Sequence, residues 1–245
     1  MKIAIISGAS SGIGQEFANL LDNYDLDEMW LIARNIDKLN HLANSLKTQT
    51  KLFSLDLSKE KSFDKIKESL EKYNPEIRYL ICSAGVGFNG SIESISKEEI
   101  CKTISLNCTS LTLLNKICLD YLYEGSRIIN VSSGSAFTPQ PYFSVYSASK
   151  SYVNSFSRAL GYELRKRKIH VTTVCPGPVS TPFFSSLKDV KEYKKKFLIS
   201  PKKVAVGSLK ASKKRKKLYI PTFSIKLVHL MSKFLPTSWI LRFYK

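Results

Sequence analysis

The sequence predicts an α/β protein built on a parallel sheet with helices on both faces. Apolar, β-branched segments alternate along the chain with helix-like segments. The strand candidates are nearly continuous apolar runs, as at residues 128–131, which is typical of strands covered on both sides. A glycine-rich turn follows the first strand, and a length of 245 residues is ordinary for one domain of this class.

The elements follow one another in a regular alternation. Asn35 or Asp37 can open the second helix, and Pro75 ends the third. No repeat or linker interrupts the chain, so we expect one domain over residues 1–222, followed by a basic amphipathic tail over 223–245. The seven predicted strands are 2–7, 29–33, 51–55, 78–82, 126–131, 169–175 and 217–221, and the helices lie near 12–22, 36–47, 59–73, 97–122 and 144–167.

Composition excludes several classes of protein. A hydrophobic content of 43% can fill a sizeable core, which argues against disorder. Five cysteines without a C-x-x-C pair favour reduced thiols in the cytoplasm, and three scattered histidines predict no metal site. The polar start of the chain and the lack of an eighteen-residue apolar run predict neither a signal peptide nor a transmembrane helix.

The net charge of +18 is concentrated in the last quarter of the chain. Only Asp189 and Glu192 are acidic beyond residue 187, although lysines continue to the end. The first three quarters therefore have the charge balance of an ordinary enzyme, and the basic excess belongs to the C-terminal segment.

The turn after the first strand has the glycine spacing G-x-x-x-G-x-G. Gly8 allows a tight turn, Gly12 lets backbone N–H groups approach a pyrophosphate, and Gly14 permits close helix packing. The helix N-terminus adds a partial positive charge for phosphates. The turn therefore predicts a Rossmann-type dinucleotide site that includes Ser10, Ser11 and Ile13; the alternative is a turn that merely needs positive φ angles.

The tip of the second strand indicates which dinucleotide fits. An acidic residue there would bind a ribose 2′-hydroxyl, whereas an arginine accommodates a 2′-phosphate. This chain has Arg34 and no acid at that point, and Ser10 can assist. The pattern favours NADPH, the alternative being a solvated arginine on a loop.

A tyrosine and a lysine four residues apart suggest proton-transfer chemistry. Tyr146 and Lys150 would share one face of a helix, and a nearby ammonium lowers the pKa of a phenol. Such a phenol can give a proton to a carbonyl oxygen or take one from an alcohol. Ser133 precedes the tyrosine by thirteen residues. Alone the pair is weak support, because the spacing also occurs by chance on solvated helices.

Together these motifs resemble the short-chain dehydrogenase/reductase family over residues 1–182. The resemblance implies a single-domain Rossmann fold with a doubly wound, parallel, seven-stranded sheet. The matching segments, in the family's order, are Gly8-x-x-x-Gly12-Ile13-Gly14, Leu55-Asp56-Leu57, Ser83-Ala84-Gly85, Asn107, Ser132-Ser133, Tyr146-x-x-x-Lys150 and Pro176-Gly177-Pro178-Val179-x-Thr181.

The resemblance also implies a role for each matched residue. Tyr146 would be the catalytic acid/base, Lys150 would hold the nicotinamide ribose, and Ser133 would bond the substrate oxygen. Asn107 would kink its helix and order a water in a proton relay. The expected cofactor-binding residues are Asp56 and Leu57 beside the adenine, Ser83, Ala84 and Gly85 after the fourth strand, and Pro176, Gly177, Val179 and Thr181 beside the nicotinamide.

Two positions depart from the family pattern. Serine replaces the usual asparagine at Ser83, so we expect weaker bracing of the strand there but no loss of the cofactor. Ser7 stands where threonine is common, which is a milder change.

Residues 182–212 are predicted to form a lid over the substrate. Phe183, Phe184, Leu187 and Val190 have the spacing of one apolar helix face. Lysines on the other face could attract an anionic substrate, such as an acyl thioester of coenzyme A or of a carrier protein. A solvated lysine-rich surface is the alternative.

The tail offers several interpretations. A lysine-rich run at 213–217 precedes apolar residues at helical spacing, and such a segment can lie on an anionic membrane. It could instead pack on its own domain, cover the substrate pocket or form a subunit interface. Nucleic-acid binding lacks supporting aromatics or a recognition motif. The apolar residues are Leu227, Leu230, Met231, Phe234, Trp239, Ile240, Leu241, Phe243 and Tyr244.

The sequence therefore predicts a cytoplasmic, NADP(H)-dependent oxidoreductase that reduces a ketone or oxidises a secondary alcohol. A hydrophobic or acyl-type carbonyl compound fits the apolar lid. We expect a homodimer or homotetramer that pairs through helices 97–122 and 144–167, and possible membrane contact through 213–245 is left open. The competing hypotheses are an idle NADP(H)-binding sensor, a membrane-surface interaction protein and a nucleic-acid-binding protein.

Overall fold

A computed structural model describes residues 1–187 and 197–242. Seven strands form one sheet in the order β3-β2-β1-β4-β5-β6-β7, and every neighbouring pair is parallel. This confirms the predicted parallel seven-stranded α/β fold. The strands are β1 (Lys2–Ser7), β2 (Glu28–Ala33), β3 (Gln49–Ser54), β4 (Glu76–Cys82), β5 (Leu122–Val131), β6 (His170–Val174) and β7 (Leu218–Tyr219).

Helices connect the strands and cover both faces of the sheet. Asn35 caps the second helix, as predicted: its Oδ1 accepts from the N–H of Lys38 at 2.8 Å. The described helices are α1 (Gly12–Leu21), α2 (Ile36–Ala43), α3 (Ser62–Tyr73), α4 (Lys97–Ile104), α5 (Ser110–Cys118), α6 (Ser144–Glu163), α7 (Pro182–Ser185), α8 (Pro201–Lys213), α9 (Phe223–Phe234) and α10 (Thr237–Arg242).

The sheet separates two apolar layers, and β1 contributes to both. Ile3 and Ile5 belong to the layer that contains α3, α5 and α6 side chains. Ala4 and Ile6 belong to the layer on the opposite face, which contains α1, α2 and α8 side chains. Because successive side chains of a strand point to opposite faces, a strand buried on both sides must be apolar throughout. That explains the continuous apolar runs in the sequence.

The strand order reverses between β1 and β4, which lie side by side. In sheets of this kind the crevice for a ligand lies at the carboxyl ends of the strands beside such a reversal. Ser7, the last residue of β1, ties the two strands together there. Its Oγ accepts from the N–H groups of Ser83 and Ala84 at 3.1 and 3.3 Å.

The helix predicted near 97–122 is interrupted around Asn107, where the kink was predicted, and it ends earlier than predicted. A π-helical turn at Ser105–Thr109 separates α4 from α5, and β5 already begins at Leu122. In and beside this turn, hydroxyl groups bond carbonyls one turn back: Ser110 Oγ to the oxygen of Leu106 at 2.6 Å, and Thr112 Oγ1 to that of Cys108 at 2.9 Å. Such back-bonding bends helices.

Helix α8 was not predicted, and it lies inside the expected lid. Ser200 caps it by accepting from the N–H of Lys203 at 3.2 Å, and Pro201 occupies the first turn. Its buried side is made of small residues with one valine and one leucine, and lysines occupy four of its 13 positions. The helix packs against α1 and supports the sheet face opposite α6.

Other features of the described residues bear on the compositional predictions. All five cysteines are free. Within residues 1–187 and 197–242, no group of three or more His, Cys, Asp or Glu side chains could hold a metal ion. In the same part of the chain, no helix combines the length and apolar character that crossing a membrane requires.

Candidate active site

The glycine turn between β1 and α1 forms a close-fitting cradle. Gly8 and Gly12 have φ angles of +69° and +58°, which side-chain-bearing residues rarely adopt. A Cβ on Gly8 would lie 2.9 Å from the nitrogen of Ala84, and one on Gly12 would lie 2.9 Å from Cγ2 of Thr181. Gly14 packs against the carbonyl of Gly8, where a side chain has no room. The turn therefore needs glycine for both conformation and space.

A cavity of about 770 Å³ runs from this cradle across the carboxyl ends of the strands. Two predicted site residues do not line it. Gly14 packs against the backbone of the turn, and Asn107 is buried in the π-helical turn. The predicted residues that line it are Gly8, Ser10, Ser11, Gly12, Ile13, Arg34, Asp56, Leu57, Ser83, Ala84, Gly85, Ser133, Tyr146, Lys150, Pro176, Gly177, Val179 and Thr181.

Charged groups occur at the cradle end of the cavity. Arg34 is exposed just past the end of β2. Burial opposes the charge on Asp56, but hydrogen bonds from Ser58 and the nearby Arg34 hold the pKa of its carboxyl below the ordinary value. Asp56 Oδ1 accepts from the hydroxyl and the N–H of Ser58 at 2.7 and 3.1 Å. The carboxylate is thereby fixed at the edge of the cavity.

Tyr146 lies near the other end of the cavity, in the first turn of α6, between two aromatic rings. Its ring stacks on Phe143 at 4.3 Å and on Phe183 at 5.5 Å between centroids. On the backbone side, a Cβ on Gly87 would overlap the tyrosine ring, so glycine allows the chain to pass close to it. Only 7% of the Tyr146 surface is exposed, which fixes the direction of its hydroxyl.

The environment of Tyr146 makes it a weak acid. Burial raises its pKa to about 12, although a hydrogen bond with Ser133 acts in the opposite direction. Ser133 is held in turn by the N–H of Ser135, which donates to its Oγ at 3.2 Å. The phenol is therefore protonated at neutral pH, and its hydroxyl is paired with the serine predicted to accompany it.

The expectation that Lys150 lowers the pKa of Tyr146 is wrong for the protein without a bound ligand. Lys150 is itself buried, and this burial lowers the pKa of its ammonium to about 8. Its Nζ lies 5.7 Å from the centroid of the Tyr146 ring and donates to the carbonyl of Val131 at 3.0 Å. Loss of hydration is the main cause of both shifts.

Asn107 occupies the π-helical turn, at the position where the sequence predicts a kink. Its Oδ1 accepts from the N–H of Val86 at 2.9 Å, and its Nδ2 donates to the carbonyl of Val86 and to Ser149 Oγ, at 2.8 and 2.9 Å. A Cβ on Gly85 would lie 3.2 Å from both Asn107 Oδ1 and Lys150 Nζ. Asn107 thus braces the loop after β4 beside the lysine.

The far wall of the cavity comes from residues that the sequence did not single out. Ser224, Ile225 and Val228 of α9 line it. A Cβ on Gly134 would lie 2.8 Å from Ile225 Cγ2, and one on Gly177 would lie 3.1 Å from its Cγ1. The isoleucine is therefore seated against the loops after β5 and β6. The sequence left open whether the tail covers the substrate pocket, and this face of α9 does line the cavity.

The wall also includes aromatic residues from two further segments. Tyr142, Phe143 and Phe197 line the cavity beside the expected Phe183, Phe184 and Leu187. Phe143 stands three residues before Tyr146, and this spacing could have predicted from the sequence that the two rings pack together. Val190, Phe243 and Tyr244, which the sequence analysis assigned to apolar faces, lie outside the described residues.

The basic run 213–217 and the tail lie at opposite ends of the sheet. Lys213 Nζ lies over the ring of Tyr24, which precedes β2, at 4.2 Å from its centroid. Arg215 shares a small pocket with His170, the first residue of β6. Helix α9 instead contacts the loops that leave the carboxyl ends of β5 and β6. The two segments therefore do not form the one surface over 213–245 that the sequence suggested.

Comparison with known proteins places this chain among the nucleotide-binding oxidoreductases of the Rossmann type. Residues 2–192 match the family model described as short chain dehydrogenase, and the chain belongs to that family. It is 33% identical to 17-beta-hydroxysteroid dehydrogenase type 3 of Mus musculus over 194 residues, 76% of this chain and 63% of the mouse protein. The chain thus spans less than two thirds of that relative.

Two further proteins are similar over most of their length. The 3-oxoacyl-(acyl-carrier-protein) reductase of Homo sapiens is 32% identical over 190 residues, 77% of this chain and 80% of the human protein. The solved short-chain dehydrogenase from Sphingobium yanoikuyae in complex with NADPH has a TM-score of 0.82 and 24% identity, covering 95% of this chain and 93% of that one. The second likeness establishes the fold.

Proposed function

We propose that this protein is an NADP(H)-dependent oxidoreductase that reduces a ketone, or oxidises the corresponding secondary alcohol. One observation carries the proposal: the buried hydroxyl of Tyr146, bonded to Ser133, lines the same cavity as the glycine cradle. A proton donor and a dinucleotide site in one cavity are the two parts that carbonyl reduction requires.

The cavity residues fit a nicotinamide dinucleotide. The part of the cavity lined by Gly8 and Gly12, beside the N-terminus of α1, suits a pyrophosphate. Arg34 and Ser10 would hold a 2′-phosphate, and Asp56 and Leu57 would flank the adenine. The remaining proposed contacts are Ser11, Ile13 and Gly14 in the turn, Ser83, Ala84 and Gly85 after β4, Tyr146 and Lys150 on α6, and Pro176, Gly177, Val179 and Thr181 after β6.

The proposed chemistry divides between cofactor and protein. A bound nicotinamide supplies hydride to a carbonyl carbon, or accepts it from an alcohol. Tyr146 gives its phenolic proton to the carbonyl oxygen; with a pKa of about 12 it carries that proton at neutral pH. Ser133 donates a hydrogen bond to the same oxygen, and Lys150 holds the ribose hydroxyls. Asn107 is proposed to serve the proton relay by fixing the loop beside Lys150.

The substrate end of the cavity supports an apolar carbonyl compound. Phe183, Phe184, Leu187, Phe197, Ile225 and Val228 all line it. Burial of such surface against an apolar substrate contributes roughly 25 cal/mol per Å². The similarity to a hydroxysteroid dehydrogenase and to a 3-oxoacyl reductase is consistent with a hydrophobic or acyl-type substrate.

The Tyr146→Phe variant tests the proposed reaction. Loss of the proton donor should lower NADPH-dependent turnover of a ketone panel about a hundredfold or more, because a general acid contributes on that scale. NADPH binding should be largely retained, since the ring and its stacking remain. Turnover is measured by the loss of NADPH absorbance, and binding by titration.

The matched control is Tyr142→Phe, which removes a hydroxyl from an exposed tyrosine of the same cavity. This variant should turn over at a rate close to that of the wild type. Substantial ketone reduction by Tyr146→Phe would contradict the proposed role of the phenol. If the wild type reduces no ketone of the panel, the result would instead favour an idle NADP(H)-binding protein.

Arg34 carries the proposed preference for NADPH. Arg34→Leu should weaken NADPH binding about tenfold, because a charge-assisted hydrogen bond to a phosphate is lost. NADH binding should change little, so NADH is the internal control, and both affinities are measured by titration. An equal loss for the two cofactors would assign Arg34 a structural role instead.

We also propose a catalytic domain over 1–222, a tail over 223–245, and a homodimer or homotetramer in the cytoplasm. The lid proposed at 182–212 reaches the cavity through Phe183, Phe184, Leu187 and Phe197, while α8 within it supports the sheet. Exposed apolar side chains on the helices predicted to pair, Ile104, Tyr152 and Tyr162, support self-association. Sedimentation velocity of the full chain measures it directly.

A further inference from the structure

Helix α9 has two apolar faces on opposite sides. One face, with Ile225, Val228 and His229, contacts the pocket wall, and His229 packs on Phe137 at 4.2 Å between ring centroids. An ordinary surface helix has a single apolar stripe toward the core. In α9 a second stripe faces away from the protein. It consists of Phe223, Leu227, Leu230, Met231 and Phe234.

The geometry of the helix separates these faces. At 3.6 residues per turn, positions 223, 227, 230, 231 and 234 cluster on one side, and positions 225, 228, 229 and 232 cluster on the other. Phe223 and Phe234, at the two ends of the outer stripe, are 81% and 77% exposed. Trp239 of α10 is also an exposed large apolar side chain, at 57%. We name Phe223, Leu227, Leu230, Met231, Phe234 and Trp239 the outer tail face.

The charged side chains of α9 and α10 are all positive. Lys226 and Lys233 share one flank of α9, and Arg242 ends α10. No acidic residue follows Glu192 in the sequence. A basic rim around exposed aromatic and aliphatic side chains complements a surface that is apolar inside and negatively charged at its edge.

Charge also argues against a second copy of this chain as the occupant. A twofold interface places the same patch on both subunits, so it would bring the lysine flanks of two copies together without acidic partners. An anionic lipid surface supplies the opposite charge and accepts the apolar side chains.

We propose that the outer tail face docks on an anionic membrane surface. The same helix that bears this face forms a wall of the substrate cavity, so docking places the cavity directly behind the membrane contact. The inference concerns lipid binding alone and stands whether or not the chain reduces a ketone.

Vesicle co-sedimentation of the full-length protein tests the proposal, with neutral phosphatidylcholine vesicles and with vesicles that also contain phosphatidylserine. The protein should bind the anionic vesicles and dissociate progressively as salt is raised. Leu230→Ser/Phe234→Ser should lower the partition coefficient about tenfold or more, because two apolar side chains no longer enter the lipid. Tyr73→Ser/Tyr123→Ser is the matched control, since it removes two exposed aromatic side chains near the amino ends of the strands.

The charge arm uses two double variants with the same change in net charge. Lys226→Glu/Lys233→Glu should weaken binding to anionic vesicles roughly tenfold or more. Lys214→Glu/Lys216→Glu alters the basic run at the opposite end of the sheet and should leave binding near the wild-type value. Equal losses in these two variants would overturn the proposal, because they would indicate nonspecific attraction.

Two further outcomes would overturn the proposal. One is absence of wild-type binding to anionic vesicles at low salt. In the other, the wild type binds no lipid and sedimentation velocity shows a smaller oligomer for Leu230→Ser/Phe234→Ser than for the wild type. That result would assign the outer tail face to a subunit interface. Circular dichroism of each variant confirms that it is folded.

Discussion

At the scale of single residues, burial governs the acid–base groups of the site more strongly than their proximity does. Tyr146 and Lys150 lie one helical turn apart, yet both pKa shifts favour the neutral form of the group. The pKa of Tyr146 is raised to about 12, and that of Lys150 is lowered to about 8. Both shifts have desolvation as their main cause. The site thus holds a neutral phenol and an ammonium that burial destabilises.

Lys150 should make the stability of the cofactor-free protein depend on pH. Its folded-state pKa of about 8 lies below the ordinary value of 10.5, so the unfolded state binds more protons between these values. Lys150 alone should therefore add on the order of 2–3 kcal/mol to the free energy of unfolding between about pH 8 and 10.5. The buried thiols of Cys82 and Cys175, whose pKa values burial raises to about 12, lower stability above pH 9, so the Lys150 contribution is the difference between the wild type and a variant without the ammonium. Urea unfolding at several pH values measures it.

Lys150→Met keeps much of the side-chain volume and removes the titrating group. This variant should lose the rise in the free energy of unfolding that Lys150 contributes between pH 8 and 10.5. Tyr146, whose pKa is raised to about 12, should still lower stability above pH 10 in both proteins. An unchanged pH dependence between 8 and 10.5 in Lys150→Met would refute the assignment.

The motifs predicted which residues gather at the site, but not their electrostatics. Local spacing was enough for Gly8, Gly12 and Tyr146, because each is fixed by a turn or a helical register. The pKa of Tyr146 depends on Phe143, Phe183 and the depth of burial, which arise only from tertiary packing.

At the scale of elements, regular strands and strongly patterned helices were predictable, and the interrupted or lysine-rich helices were not. Strand β1 is bounded as predicted, because both its faces are apolar and a glycine turn ends it. The π-helical turn at Ser105–Thr109 depends on hydroxyl back-bonding and on the bonds of Asn107 to Val86. Helix α8 was hidden by its lysines and the small residues of its buried side.

Ile225 of α9 should control the size of the substrate that fits. Ile225→Ala removes side-chain volume at a wall of the cavity, against Gly134 and Gly177. We expect the ratio of kcat/KM for a bulky ketone to kcat/KM for a small one to rise several-fold in this variant. This is about the discrimination that one or two methylene groups contribute in an apolar pocket. Steady-state kinetics with a graded series of ketones measures the ratio.

Leu227→Ala is the matched control on the same helix, because its side chain belongs to the outer tail face. The ratio for this variant should match the wild type. Equal changes in the two variants would indicate that α9 acts through its overall stability and not as a wall of the pocket.

At the scale of the whole molecule, function is distributed by the ends of the sheet. The carboxyl ends of the strands bear the cradle, the phenol and the wall formed by α9. The amino ends bear the basic run around Lys213 and Arg215. The sequence predicted that the C-terminal quarter is basic, but only the three-dimensional path of the chain separates its charges into two distant surfaces.

The strand order also has a consequence for how the chain is made. β1 is paired on both sides, but one partner, β4, leaves the ribosome much later: Ser7 and Ser83, whose contact joins the two strands, are 76 residues apart. Until then, one edge of an apolar strand that contains Ile3, Ile5 and Ile6 has no partner. The nascent chain therefore passes through a stage prone to aggregation, when a chaperone has most to protect.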